Sequence, residues 1–189
     1  ISNEETDTLF SPNDINSYVD RKKESWIVKI ARRITFGKAD LTKENCSTFI
    51  DLLDCEKKPK DILIIGSGEI GNGAHELFNN KKLNTVGTDV YLSENVDYVS
   101  DAHYLPFKSK SFDGVWIQAV LEHVLDPQQV VSEIHRVLRD DGYVYAETPF
   151  MQQVHEGAHD FTRLSMVGHN KLFNKFNIIK YGMVAGPGT

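Results

Sequence analysis

The chain has no apolar run approaching the ~20 residues that a bilayer-spanning helix needs, so no membrane partner is expected. It also has no excess of positive charge: 21 Lys and Arg stand against 27 Asp and Glu, a formal net charge of −6. With an isoelectric point near 5.6, that argues against a nucleic-acid partner held by a broad basic face. Cysteine is scarce, and Cys46 and Cys55 have neither metal-type spacing nor a CxxC pair. Reduced, inert thiols in a cytoplasmic protein are therefore expected. There is no internal repeat and no low-complexity tract. The opening Ile-Ser-Asn-Glu-Glu-Thr-Asp lacks the basic and apolar regions of a secretory signal; it also lacks Met, so the sequence reads as part of a longer protein. What is present is ordinary for one globular domain: 189 residues, 40% hydrophobic and 25% charged.

Residues 61–89 organise the rest. The apolar run 62–65 shows no polar alternation, which predicts a parallel strand buried on both faces. Gly66, Gly68, Gly71 and Gly73 follow at once, a composition that permits a tight turn and close approach of a ligand to bare backbone. A helix opening near Gly71 would aim free N–H groups and a positive dipole end at that ligand. A second apolar strand, 85–88, ends on Asp89, where a carboxylate can accept both hydroxyls of a ribose. Strand, glycine turn, helix and an acid about 20 residues on form a nucleoside-cofactor fingerprint. NAD and S-adenosylmethionine both fit it.

The remaining elements alternate. Residues 1–12 read as an arm, and a helix capped by Asn13 or Asp14 is predicted to about Ile34. A second helix, capped by Thr42, should run to about Leu53 with Phe49, Ile50, Leu52 and Leu53 inward. Past Asp89 come a weak strand at 98–100, a loop through Phe107, and a buried strand at 111–118. Asp126-Pro127 should start a helix that turns Val130, Val131, Ile134, Val137 and Leu138 inward and ends at Asp141-Gly142. A strand at 143–148, a helix at 165–173 and a further strand at 176–184 complete the prediction. The alternation implies an α/β sandwich with a mainly parallel, doubly wound, Rossmann-like sheet. The boundary expected between the N-terminal helices and this domain lies at residues 58/59.

Between residues 111 and 150 the pattern becomes specific. Phe112-Asp113-Gly114-Val115, then Leu121-Glu122-His123-Val124, then Arg136-Val137-Leu138 and Gly142 resemble class I S-adenosylmethionine-dependent methyltransferases of the type 11 group. Asp101-Ala102 and Leu105-Pro106-Phe107 match the preceding loop of that family. The resemblance covers about residues 60–184. It implies S-adenosylmethionine as cofactor and a class I methyltransferase fold whose last strand is missing here. It also implies a site in which the Gly66, Ser67 and Gly68 backbone lines the methionine part. Asp89 would take the ribose hydroxyls and Val90 or Tyr91 would flank the adenine. Asp101 would accept from the adenine amino group beside Ala102, and Gln118 and Ala119 would face the ammonium and sulfonium. Two positions depart from the family: Ile64 stands where an acid is usual, and the third glycine falls at Gly71 instead of position 70. That spacing is nearer an NAD fingerprint, which residues 111–150 disfavour.

The loop after the fifth strand, 149–163, leaves the cofactor end of the sheet and holds His155, Glu156, His159, Asp160 and Arg163. Similar methyltransferases carry a comparable stretch. The expectation is that His155 or His159 acts as general base, that Asp160 orients a histidine and that Arg163 holds an anionic part of the acceptor. His155, His159 and Asp160 could also meet on an ion, but this spacing defines no metal site, and none is assigned. Glu122 and His123 are expected to shape a loop. The acceptor is expected to be a small molecule, and an unpaired sheet edge leaves room for a homodimer. The alternatives are a non-catalytic cofactor- or partner-binding module and, less favoured, an NAD-dependent oxidoreductase.

Overall fold

The computed structural model describes residues 40–54, 58–153 and 157–184. The helix expected at 13–34, Cys55 and His155 lie outside the described residues. Five parallel strands form one sheet in the order β3-β2-β1-β4-β5. They are β1 (Lys60–Ile65), β2 (Leu83–Asp89), β3 (Tyr98–Val99), β4 (Phe112–Gln118) and β5 (Leu138–Glu147). The helices are α1 (Asp40–Leu52), α2 (His75–Asn79), α3 (Pro127–Val137) and α4 (Met166–Leu172).

β1 lies between β2 and β4, which explains its unbroken apolar run. Alternate residues feed two separate cores. Leu63 and Ile65 join Val115 and Ile117 beneath α3, whose Val130, Val131, Ile134 and Val137 are at most 2% exposed. Each such side chain contributes roughly 1.5–3 kcal/mol by burial. Ile62, Ile64 and Trp116 face Cys46, Phe49 and Ile50 of α1, and Leu53 just beyond it, on the other side. Helices on both faces make the sheet doubly wound. Asp126 caps α3 by accepting from the Gln129 N–H at 3.0 Å, with Pro127 opening the helix.

Several expectations need correction. No helix opens at Gly71: residues 71–74 turn first, with Gly73 at φ +84°, and α2 is only five residues long. It supplies one turn and no aligned dipole at the loop. α1 begins at Asp40, so Thr42 is inside it and buried, not its cap, and Leu52 is exposed. α3 stops at Val137, and β5 begins at Leu138 instead of Tyr143. The early start follows from Arg139, which donates to Asp113 Oδ2 at 2.5 Å and Asp61 Oδ2 at 3.1 Å and pins the strand to β4 and β1. The residues 139–142 then sit in a ladder irregularity between the pairs Phe112↔Leu138 and Gly114↔Tyr143. The strand expected at 176–184 does not form. Ile178 and Ile179 are adjacent, without alternation, and both are exposed with Tyr181 and Met183. Among the described residues no ladder receives this segment.

Candidate active site

The carboxyl edge of the sheet is defined by register. Thr88 pairs with Ile65, Ile65 with Ile117, and Ile117 with Ala146. One step further along the chains, Asp89, Gly66, Gln118 and Glu147 form the next transverse row, on the opposite face. Gly66 has φ +80°, and a side chain there would collide with Val120 Cγ2. Its N–H and that of Ser67 donate to the Thr88 carbonyl at 2.8 and 3.2 Å. The Gly68 N–H donates to Asp89 Oδ2 at 2.9 Å, and the Val90 N–H donates to Asp89 Oδ1 at 2.7 Å. The glycine turn and the acid that ends β2 are therefore one unit. The Tyr91 ring lies directly on Gly68, in space that a Cβ would occupy. Ser67 is fully buried, with its hydroxyl turned toward Gly87 of β2, so only its backbone faces the turn.

Beyond β3, Asp101 caps the 3-10 turn Ala102–Tyr104 by accepting from the His103 N–H at 2.9 Å. His103 Nε2 accepts from the Asp126 N–H at 3.0 Å, which leaves Nδ1 to donate to Asp101 Oδ1 at 2.5 Å. This chain of bonds fastens the Asp101 loop to the start of α3. The Asp101 carboxylate is otherwise exposed, and the Ala102 methyl belongs to the core under α3.

At the end of β4, the Gln118 amide donates to the Asn72 carbonyl at 3.1 Å and lies against Gly71. Ala119 is exposed at φ +54°, and its N–H is fixed on the Glu147 carbonyl at 2.9 Å. The turn Leu121–His123 grips the loop after β5. The Glu122 carbonyl accepts from the Phe161 and Thr162 N–H groups at 2.8 and 3.2 Å, and His123 Nδ1 meets the His159 carbonyl at 2.7 Å. The Glu122 side chain is 0% exposed, and neither carboxylate oxygen has a hydrogen-bond partner among the described residues. His123 Nε2 stands 3.6 Å from Oε1. Burial pushes the Glu122 carboxyl up to about 7, against smaller opposing effects of its own backbone N–H and then of Arg163.

In the loop itself, His159 is half-buried with its ring edge-on to Phe161. Asp160 is 1% exposed and pairs in fork fashion with both terminal nitrogens of Arg163. The Arg163 guanidinium also reaches the Thr162 carbonyl at 3.1 Å and the Gln152 carbonyl at 3.4 Å. In this structure the Arg163 donors are turned to its own loop. Asp160 likewise braces Arg163. Among the described residues no three metal-ligating side chains converge.

One part of the site has no counterpart in the sequence reading. Glu147 Oε2 accepts from the Tyr145 hydroxyl at 2.5 Å and from the Thr42 hydroxyl at 2.9 Å. Tyr145 stacks on Trp116 at 3.9 Å, and burial, then the neighbouring Glu147, holds its phenol well above the ordinary range. The period-2 pattern of Tyr143, Tyr145 and Glu147 is the signal that places all three on one face. The rim around this edge is apolar: Val90 and Leu92 after β2, Tyr104 after β3, Leu125 after β4, and Phe150, Met151 and Phe161 after β5 are all exposed.

A parallel doubly wound sheet with a glycine turn after β1 and an acid closing β2 defines a Rossmann-like nucleoside-cofactor domain. Residues 65–146 match the family model described as "Methyltransferase domain". That segment is similar to the class I methyltransferases of the type 11 group, a family whose cofactor is S-adenosylmethionine. The chain is 34% identical over 100 residues to the "Probable tocopherol O-methyltransferase, chloroplastic" of Oryza sativa subsp. japonica. That match covers 44% of this chain and 27% of the rice protein, so the chain matches about a quarter of its curated relative's length. Among solved structures it resembles a "putative sarcosine dimethylglycine methyltransferase" from Galdieria sulphuraria, at TM-score 0.55 and 17% identity over 71% of this chain and 60% of the other. It also resembles the complex between the Trm112 methyltransferase activator of Haloferax volcanii and a "putative methyltransferase", at TM-score 0.50 and 19% identity over 72% and 70%. These two likenesses concern the fold. No helix among the described residues is long and apolar enough to cross a membrane.

Proposed function

We propose that this chain transfers a methyl group from S-adenosylmethionine to a small molecule with a substantial apolar body. The observation that carries the reading is the Asp89 carboxylate. Gly68 and Val90 hold one oxygen each. A carboxylate at the end of β2, beside a turn whose Gly66 and Gly68 leave the backbone bare, is suited to accept from a ribose diol. When bound, S-adenosylmethionine supplies a methyl group activated by its sulfonium. Gly66, Ser67 and Gly68 would line the methionine part through their backbone. Asp101 would accept from the adenine amino group, with Val90, Tyr91 and Ala102 beside the ring, and Gln118 and Ala119 would face the charged end.

For in-line displacement the protein mainly provides alignment, worth about 7–11 kcal/mol in favourable cases. A base adds roughly 10²–10⁴-fold where the acceptor must lose a proton. His155 and His159 are the proposed proton acceptors, on a loop that Asp160 and Arg163 keep closed. The exposed apolar rim supports an acceptor with an apolar body, as does the name of the rice relative. A cytoplasmic location and pairing of the β5 edge with a second copy belong to the same reading, and a hydrodynamic mass near 21.4 kDa would remove the second.

Calorimetry with S-adenosylmethionine, S-adenosylhomocysteine and NAD tests the cofactor. Binding of the first two is expected; binding of NAD alone would replace the reading with an oxidoreductase. Release of S-adenosylhomocysteine is then compared for phenols with and without an isoprenoid tail, and faster turnover of the tailed compounds is expected. Tight cofactor binding with no turnover on any acceptor would favour a non-catalytic module.

A further inference from the structure

The row at the carboxyl edge has an acid at each end, Asp89 on β2 and Glu147 on β5, with Gly66 and Gln118 between them. The two acids stand three strand intervals apart, roughly 14 Å. Both are tied to the glycine turn: Asp89 through the Gly68 N–H, and Glu147 through Gln118, whose amide nitrogen is 3.1 Å from the Asn72 carbonyl and 3.5 Å from Glu147 Oε1.

Glu147 is held ready on one side only. The Tyr145 and Thr42 hydroxyls both donate to Oε2. Among the described residues Oε1 has only the long contact from Gln118 at 3.5 Å, beyond the usual hydrogen-bond range. The carboxylate is half-buried, at the edge where the turn lies. Beside it, the Asn72 carbonyl adds a second acceptor. Two acceptors with spare lone pairs, one of them a carboxylate fixed by hydroxyl donors, suit a primary ammonium with three N–H groups.

We propose that Glu147, steered by Tyr145 and Thr42, receives the α-ammonium of the cofactor's amino-acid end, with Gln118 linking it to the glycine turn. The proposal rests on the cofactor reading above. A ligand with a diol at one end and an ammonium at the other would then lie along the row from Asp89 to Glu147.

The test compares two ligands by calorimetry: S-adenosylhomocysteine, which has the ammonium, and 5′-methylthioadenosine, which has the same nucleoside without the amino-acid end. Glu147→Gln keeps an oxygen acceptor for Tyr145 and Thr42 but removes the charge. It should weaken S-adenosylhomocysteine about tenfold to a hundredfold, as expected for loss of a charge-assisted bond, and leave methylthioadenosine within about twofold. Unchanged affinity for both would overturn the assignment of Glu147 alone. So would an equal loss for both, which would mark a structural role. If the wild-type protein binds neither compound, the cofactor reading itself falls and this inference with it.

Discussion

The two loops at the carboxyl edge of the sheet, 66–73 and 157–163, are held by opposite means. The glycine turn is fastened mainly to the adjacent strand: its N–H groups bond to Thr88 and Asp89 at the end of β2, while the buried Ser67 hydroxyl has no hydrogen-bond partner among the described residues. The loop after β5 is fastened at a distance, by the turn that follows β4. Its grip comes with a buried carboxylate, Glu122, that has no hydrogen-bond partner among the described residues. The first loop presents backbone at the carboxyl edge of the sheet. The second carries its restraint on side chains and on a group whose charge changes near neutrality.

The largest expected effect lies in that asymmetry. The Glu122 carboxyl stands at about 7 in the folded protein against 4.5 ordinarily, so the folded state binds more protons than the unfolded state between those values. Stability from this group is full below about pH 4.5, falls as pH rises, and is lost above about 7. The total is about 3 kcal/mol. Glu122→Gln should therefore match the wild type near pH 4.5 and exceed it increasingly toward pH 8, by an amount approaching that figure. Thermal melts of both proteins across the range give the difference directly. A difference independent of pH would mean that Glu122 is ionised and paired in solution, and the contrast between the loops would vanish.

A smaller effect belongs to the glycine turn. Gly66→Ala places a Cβ at φ +80° and against Val120 Cγ2. The left-handed conformation alone costs about 1–2 kcal/mol for a residue with a side chain. Because the turn and Asp89 form one unit, the same change should displace the Gly68 N–H from the carboxylate and weaken S-adenosylhomocysteine binding. Calorimetry and melting read the two consequences separately. Normal binding with lowered stability would show that Asp89 keeps its position without the turn.

What the sequence made legible follows the same division. Residues 61–89 hold strand, turn and acid within one short stretch, so local rules were enough to place them. Asp126-Pro127 announced α3 for the same reason. The role of Glu122 was not legible, because its meaning depends on Phe161 and Thr162, nearly 40 positions away, whose N–H groups its carbonyl receives. The fork between Arg163 and Asp160 was likewise not legible in the sequence. The early start of β5 depends on Arg139 reaching Asp61 across 78 positions, a contact that turn signals at Asp141-Gly142 outweighed on paper. Glu147 was missed although the alternation through Tyr143 and Tyr145 pointed to its face; its importance came from register, which no single segment contains.

The smallest effect isolates the long-range grip. The His123 ring bonds through Nδ1 to the His159 carbonyl at 2.7 Å, and since a carbonyl can only accept, Nδ1 carries the proton. His123→Ala removes that donor and should cost about 1 kcal/mol. The cost should fall on the loop and not on the whole fold, because the Glu122 carbonyl still receives Phe161 and Thr162. Amide hydrogen exchange is the measurement of choice, since it resolves local opening from global unfolding. Residues 157–163 should exchange several-fold faster in the variant, and residues 66–73 should be unchanged. If both loops speed up together, they open as one cooperative unit, and local fastening of the glycine turn through Asp89 does not describe how this edge of the sheet moves.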